Sequence, residues 1–230
     1  KIKLLSYNIM SGCFENYTQG SVLTGRFDLL QKAIKAIGAD FVGLVDTFKW
    51  KETFSETELK KKFNYKHVFM VDMEDTRVEK NIGVAVMTNL DVRGFTVVRA
   101  YNRNYIETVL NNLNVYTCYF DDISEDTRLS EVNSLLSQVK KPAIIHGDLN
   151  TLAKDDLELT EKVGDVFERE NIELAKRLKP AFDGMKLGKV VETLKTNGFI
   201  DVEKKWGPTF PTKLFPAVVT EPFVRVDYFF

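Results

Sequence analysis

Apolar positions along this chain recur with two periods. Over residues 2–8, Ile and Leu alternate with Lys and Ser, the two-residue repeat of a strand with one buried face. Phe41-Val42-Gly43-Leu44-Val45 is a continuous apolar run, too short for a helix, that reads as a buried strand ending in Asp46. Further strands are predicted over 65–71, 82–88, 92–98, 113–120, 143–146 and 223–230, with Asn89-Leu90-Asp91 joining two of them. A 3.6-residue period sets Phe27, Leu30, Ile34 and Ile37 on one face of a helix over 27–37, stopped by Gly38. A second helix over 127–139 carries Leu129, Val132, Leu135, Leu136 and Val139 on one face, and a short one over 189–196 closes at Asn197-Gly198. The order is strand–helix–strand, then a meander, then helix–strand. It predicts an α+β fold in a single domain over residues 1–230, a two-sheet β-sandwich flanked by helices in four layers, α/β/β/α.

Composition narrows the class. With 44% hydrophobic and 28% charged residues over 230 positions, the chain is expected to be a soluble globular protein with a real core. Seventeen Phe and eight Tyr suit a sheet-rich interior. No apolar run approaches the roughly 18 residues of a bilayer span, so the expected location is cytoplasmic, or secreted after removal of a leader preceding Lys1. Cys13 and Cys118 make no disulfide framework, and neither lies in a cluster with zinc spacing. A net charge of -1 argues against a protein that grips a long nucleic-acid backbone. Lys60-Lys61-Lys62 and Lys204-Lys205 read as solvated faces.

The chemistry concentrates where strands end. Ala143-Ile144-Ile145-His146 runs into Gly147-Asp148-Leu149-Asn150. On an extended backbone, residues two apart share a side, so Asp148 and Asn150 are expected to project together. A carboxylate there can hold a divalent cation or orient a water, and a carboxamide can hydrogen-bond phosphoryl oxygens. An ordinary Asp-x-Asn turn would explain this stretch taken alone. Other strands, however, also end in polar groups: Ser6-Tyr7-Asn8, Val45-Asp46, Tyr119-Phe120-Asp121-Asp122 and Arg225-Val226-Asp227. Were these ends to converge on one rim, Asn8, Asp46, Asp148, Asn150 and Asp227 would build one acidic, amide-lined pocket suited to metal-assisted phosphoester cleavage.

These segments, in this order, resemble the endonuclease/exonuclease/phosphatase superfamily. Leu4-Leu5-Ser6-Tyr7-Asn8-Ile9 is similar to its opening motif, and Ala39-Asp40-Phe41-Val42-Gly43-Leu44-Val45-Asp46 to its second. Asn81-Ile82-Gly83-Val84-Ala85-Val86-Met87 resembles its central strand, and residues 121–129 the approach to an Arg-bearing helix at Arg128. Gly147-Asp148-Leu149-Asn150 is the most specific match. Asn197-Gly198-Phe199-Ile200-Asp201, Thr209-Phe210-Pro211 and Arg225-Val226-Asp227-Tyr228-Phe229-Phe230 follow in family order. The resemblance implies a Mg²⁺- or Mn²⁺-dependent phosphoesterase, nuclease or phosphatase. Asp46 and Asn8 would lie at the metal, and Asp148, Asn150, Tyr119 and Asp227 would be catalytic. Its expected partner is a phosphate ester, either a small molecule or a short nucleic acid.

The departures from the family matter as much. Asp46 stands where the family carries a metal-binding Glu one methylene longer, and Tyr119 where a His contacts the phosphate. The family's closing Ser-Asp-His motif does not occur before Phe230. Two explanations fit: a further C-terminal segment, or a degenerate site. Only His67 and His146 exist. His67 reads as a packed or surface residue. His146, two before Asp148 and on its side of the strand, is either structural or a compensating catalytic group. The alternative function is a catalytically silent member that binds a phosphorylated ligand or a protein partner.

Overall fold

A computed structural model describes residues 1–73, 82–154, 168–169, 172–202, 208–209 and 225–230. Asn81, Lys204, Lys205, Phe210, Pro211, Phe223 and Val224, singled out above, lie outside the described residues. The chain forms two mixed sheets with helices, the expected α+β sandwich. It divides into two compact units, residues 1–119 with 138–148, and residues 120–137 with 149–230.

The first unit contains β1 (Leu4–Asn8), α1 (Arg26–Ile37), β2 (Phe41–Val45), α2 (Trp50–Thr53), α3 (Glu56–Phe63) and β3 (His67–Asp72). It continues with β4 (Gly83–Thr88), β5 (Val92–Ala100), β6 (Arg103–Leu110), β7 (Asn114–Tyr119) and β8 (Ala143–Asp148). One sheet runs β1-β2-β4-β3 with β1 and β2 parallel and the other pairs antiparallel. In the other, β5, β6 and β7 form an antiparallel meander and β8 lies parallel to β7.

Strand β2 shows why the layers form. Its alternate residues face opposite ways. Phe41 and Val45 join Val84, Val86, Ile106 and Val115 between the sheets. Val42 and Leu44 join Phe27, Leu30, Ile34, Trp50, Leu59 and Phe63 under the helices. Burying each such side chain contributes about 1.5–3 kcal/mol, and β2 is buried at all five positions. Helix α1 ends as expected, with Gly38 in the left-handed conformation at φ 59° donating its N–H to the Ile34 carbonyl. Ile37, assigned to the apolar face, is 42% exposed instead.

Several elements of this unit went unanticipated or shifted, the short helix α2 among them. β3 begins at His67, because the Tyr65 N–H still donates to the Lys60 carbonyl of α3 at 3.2 Å instead of to a neighbouring strand. β6 was not anticipated, since its buried positions include Arg103, Asn104, Glu107 and Thr108. α3 is mostly polar and starts with a capping box, in which the Ser55 hydroxyl accepts from Glu58 N–H and Glu58 accepts from Ser55.

The second unit contains α4 (Glu125–Leu136), α5 (Ile172–Met185), α6 (Lys189–Thr196) and β9 (Asp227–Phe229). α6 has the predicted bounds. α4 begins earlier than its apolar period, at a Ser124 cap accepting from Thr127 N–H, and stops at Leu136 rather than 139. Its buried face holds Glu125, Arg128 and Glu131 beside Val132 and Leu135. Arg128 Nε donates to Glu125 Oε2 at 2.8 Å and Nη1 to the Asp121 carbonyl at 2.9 Å. Glu125 Oε1 accepts the Lys189 N–H at 3.1 Å, tying α6 to α4. Arg128 is therefore a structural clamp. Among the described residues, no helix is long and apolar enough to cross a membrane.

His146 proves to be part of the core. It is fully buried on β8, with Nε2 2.9 Å from Thr117 Oγ1 and its ring edge-on to Phe41, centroids 5.7 Å apart. Burial pushes its pKa down to about 3, so it stays neutral in the fold. Of the two readings of His146, the packing favours the structural one: this imidazole is wedged between the sheets. In the unfolded chain it titrates near 6.5, so on acidification the unfolded state takes the proton first. Stability present above about pH 6.5 is then lost toward pH 3, by up to about 1.4 kcal/mol per pH unit. His67, the other imidazole, is pushed down too, first by partial burial and then by Lys66 and Lys60. In thermal melts at about pH 7 and about pH 5.5, His146→Gln is expected to show a much smaller acid-induced loss of Tm than wild type. Equal losses would place the acid-labile group elsewhere.

Candidate functional site

The first unit brings several of the expected residues to one rim. β1 and β2 run parallel and end together, with Asn8 opposite Val45 and Asp46 next. β7 and β8 also end together, with Tyr119 opposite Asp148. A hydrogen bond joins the two ends: Asn8 Nδ2 donates to Asp148 Oδ2 at 2.9 Å. Asp148 is 5% exposed, so this charge-assisted contact offsets part of the cost of burying a carboxylate. The alternation inferred for β8 holds through Asp148, since His146 and Asp148 both face the β1-β2-β4-β3 sheet.

Gly147 sits between them for a backbone reason. Its φ is 135°, and a Cβ there would lie 1.9 Å from the Cys118 carbonyl oxygen. The strand stops at Asp148, and Asn150 takes φ 47°. Strand alternation therefore does not reach Asn150.

Asp46 is held differently. It ends β2 at φ 60° and is 2% exposed. Its Oδ2 accepts the Ser11 N–H at 3.0 Å and a short hydrogen bond from the Tyr17 hydroxyl, and its carbonyl accepts the Gly12 N–H at 2.8 Å. The segment that wraps it, Met10 to Cys13, has positive φ throughout, an arrangement that costs roughly 1 kcal/mol or more per non-glycine residue. Asn8 helps to hold that turn, with Oδ1 accepting the Met10 N–H at 2.9 Å. Cys13 is buried in the same turn. Burial pushes its thiol up to about 11, with Arg26 opposing and Asp46 adding, so it is no nucleophile at neutral pH. Both cysteines are free and buried.

Three residues at this rim were missed from the sequence. Arg103 is 4% exposed. Its guanidinium lies 4.9 Å from the centroid of the Tyr119 ring, and Nη1 donates to the Tyr119 carbonyl at 3.0 Å. Asp72 ends β3, opposite Gly83. Partial burial raises its pKa while Lys51, at 3.6 Å, pulls it back. Tyr17 is the third. Arg103 hides in a strand without alternation and Tyr17 in a stretch without period, so no pattern could have flagged either; Asp72 closes a predicted strand and could have been read as one more polar strand end.

In the second unit, Asn150 Nδ2 donates to the Phe120 carbonyl at 2.9 Å. The Asp227 N–H reaches Thr209 Oγ1 at 3.3 Å. Arg225 forms a buried bidentate pair with Asp201, at 2.9 and 2.7 Å, and its guanidinium stacks 4.4 Å from the Tyr228 ring centroid.

A Mg²⁺ or Mn²⁺ ion needs several hard oxygen ligands facing one point. The described residues do not fit one as they are arranged. Asp46 Oδ2 already takes two protein donors, and Asn8 Oδ1 takes the Met10 N–H. Among the described residues, no three Asp, Glu, His or Cys groups gather at any point.

No family model matches this chain, and no curated protein does. Solved structures do. An AP endonuclease from Archaeoglobus fulgidus aligns with 99% of this chain and 84% of its own, at 14% identity and TM-score 0.60. A 3′-5′ exonuclease from Neisseria meningitidis aligns with 99% and 85%, at 11% identity and TM-score 0.59. ANGEL2, a 2′,3′-cyclic phosphatase, covers 71% of this chain and 56% of its own, at 17% identity and TM-score 0.51. The chain has the endonuclease/exonuclease/phosphatase fold. At these identities the likeness speaks for the fold alone. Within that fold, Asn8 and Asp148 are joined by a direct contact of this chain.

The two contacts of the Asn8 amide can be tested together. Asn8→Leu removes the donor to Asp148 Oδ2 and the acceptor of the Met10 N–H, which is expected to cost at least about 1.5–3 kcal/mol. Urea unfolding should show a lower midpoint at unchanged slope. A midpoint equal to wild type would mean that water replaces the amide without loss.

Proposed function

We propose that the chain is a phosphoester hydrolase, nuclease or phosphatase in kind, acting at the rim where β1, β2, β7 and β8 end. The observation that carries this reading is the buried Asp148 carboxylate, fixed by the Asn8 amide at 2.9 Å on a fold whose structural relatives include two nucleases and a phosphatase. Asp148 orients a water and accepts its proton as the water attacks phosphorus and the ester P–O bond breaks, the leaving alkoxide taking up a proton from solvent. Asn8 fixes the rotamer from which it does so. Tyr119, opposite Asp148 in the strand pair, donates its hydroxyl to a phosphoryl oxygen, and the Arg103 cation behind its ring adds positive potential. The parts assigned to Asn150, an amide to the phosphoryl group, and to Asp227, support from the last strand, rest on the family resemblance. The net charge of -1 favours a compact ester or a short nucleic acid over a long duplex.

A second reading, a silent member that binds a phosphorylated ligand, is favoured by one observation: Asp46 is closed off by Ser11 and Tyr17. The test is hydrolysis of bis(p-nitrophenyl) phosphate and of nicked and single-stranded DNA, with and without Mn²⁺, by wild type and Asp148→Ala. Turnover in wild type that falls at least about 10²-fold in Asp148→Ala is the expected result. Absence of turnover in wild type with every substrate would move the assignment to the binding reading.

A further inference from the structure

The segment between β1 and α1 delivers one hydroxyl to one carboxylate. Phe14 and Leu23 form an antiparallel bridge, the Glu15 N–H donates to the Val22 carbonyl at 3.1 Å, and the Asn16 N–H donates to Ser21 Oγ at 3.0 Å. This makes a small hairpin over 14–23, with Tyr17 near its tip. Its base is pinned by Arg26, whose Nη2 donates to the Phe14 carbonyl at 2.5 Å, and its tip by Lys49 Nζ, which donates to the Gln19 carbonyl at 2.6 Å. The Tyr17 ring packs edge-on against Phe48, centroids 5.5 Å apart. Its hydroxyl accepts the Ser11 N–H at 3.2 Å and donates to Asp46 Oδ2. The contact is thus built by the hairpin, the ring packing and the turn together.

We propose that Tyr17 is a hydroxyl cap on Asp46, holding Oδ2 of a carboxylate that a divalent cation at this rim would need and so weakening the binding of that cation. A cation can use Asp46 Oδ2 only by displacing the phenol, which is anchored at both ends of its hairpin. The carboxylate and the cation site it would serve are then in competition with a side chain of the same protein. This inference concerns metal binding and stands apart from whether the rim hydrolyses esters.

The test uses Mn²⁺ alone, titrated into the apo chain by calorimetry, with free Mn²⁺ counted independently by its electron paramagnetic resonance signal. Tyr17→Phe removes the hydroxyl and keeps the ring on Phe48; Tyr17→Leu serves as a second variant lacking the hydroxyl. Both are expected to bind Mn²⁺ at least about tenfold more tightly than wild type, a change of about 1.4 kcal/mol. Adding Asp46→Asn to Tyr17→Phe should abolish the gain. Equal affinity in wild type and both variants, or no binding in any of them, would overturn the cap. A gain that survives Asp46→Asn would overturn it too, by placing the ion elsewhere. None of these readouts depends on catalysis, so a failure here is separate from a failure of the hydrolysis assay.

Discussion

A side chain at position 43 would collide with His146: a Cβ on Gly43 would lie 2.2 Å from Cε1 of that imidazole and 2.9 Å from Thr117 Cγ2. The two sheets of the first unit meet at this point because β2 carries a glycine where β8 carries a ring. The glycine fits the histidine and the histidine fills the glycine's hollow, with Phe41 as the neighbouring wall. This fit sets how close β2 and β8 stand, and the strands then carry that spacing two residues further to their ends. There Asn8, one strand over from β2, reaches Asp148 at 2.9 Å. A larger residue at 43 would push the sheets apart, and a spread of even 1 Å breaks a hydrogen bond of this length. The core packing and the polar rim are therefore one construction.

Much of that construction can be read from residue order. β2 and α6 fall where the periods place them, and the Gly-Asp-Leu-Asn stretch does end a buried strand. These elements are legible because burial alone decides them. β6 was missed because a strand with Arg103, Asn104, Glu107 and Thr108 in buried positions has no apolar alternation; its polar groups are matched by partners from distant strands, as when Glu107 Oε1 accepts the Tyr116 hydroxyl at 2.7 Å. α5 carries Pro180 within its span, which breaks the usual reading of a helix. Helix α4 was misplaced for a related reason. Its inward face is partly charged, and the Arg128 clamp that makes those charges tolerable is set by tertiary contacts.

The rim residues divide in the same way. Asn8, Asp46, Asp148 and Tyr119 lie at strand ends, so counting along strands finds them. Tyr17 and Arg103 act on those residues from elements with no period, and only folded geometry reveals them. Both interactions change the chemistry at the residue they touch. Arg103 lends a cation to a tyrosine that has no charge of its own at neutral pH. Tyr17 supplies a donor to a carboxylate that would otherwise seek one elsewhere.

This bears on the shorter side chain at position 46. Asp46 stands where the resemblance expects Glu, and the loss of one methylene draws the carboxylate back by about 1.5 Å, one C–C bond. Withdrawn by that length, it meets the Ser11 N–H at 3.0 Å and the Tyr17 hydroxyl, both fixed by the positive-φ turn and the hairpin after β1. A glutamate would carry its oxygens past these donors, and the contacts of the turn's amide and of the phenol with Oδ2 would be lost. The aspartate, the strained turn and the tyrosine thus fit one another, and exchanging any one of them alone removes a hydrogen bond. The change at 46 is one part of a local rearrangement in which neutral protein donors stabilise, by hydrogen bonding, a buried carboxylate whose charge a cation would neutralise in a metal site.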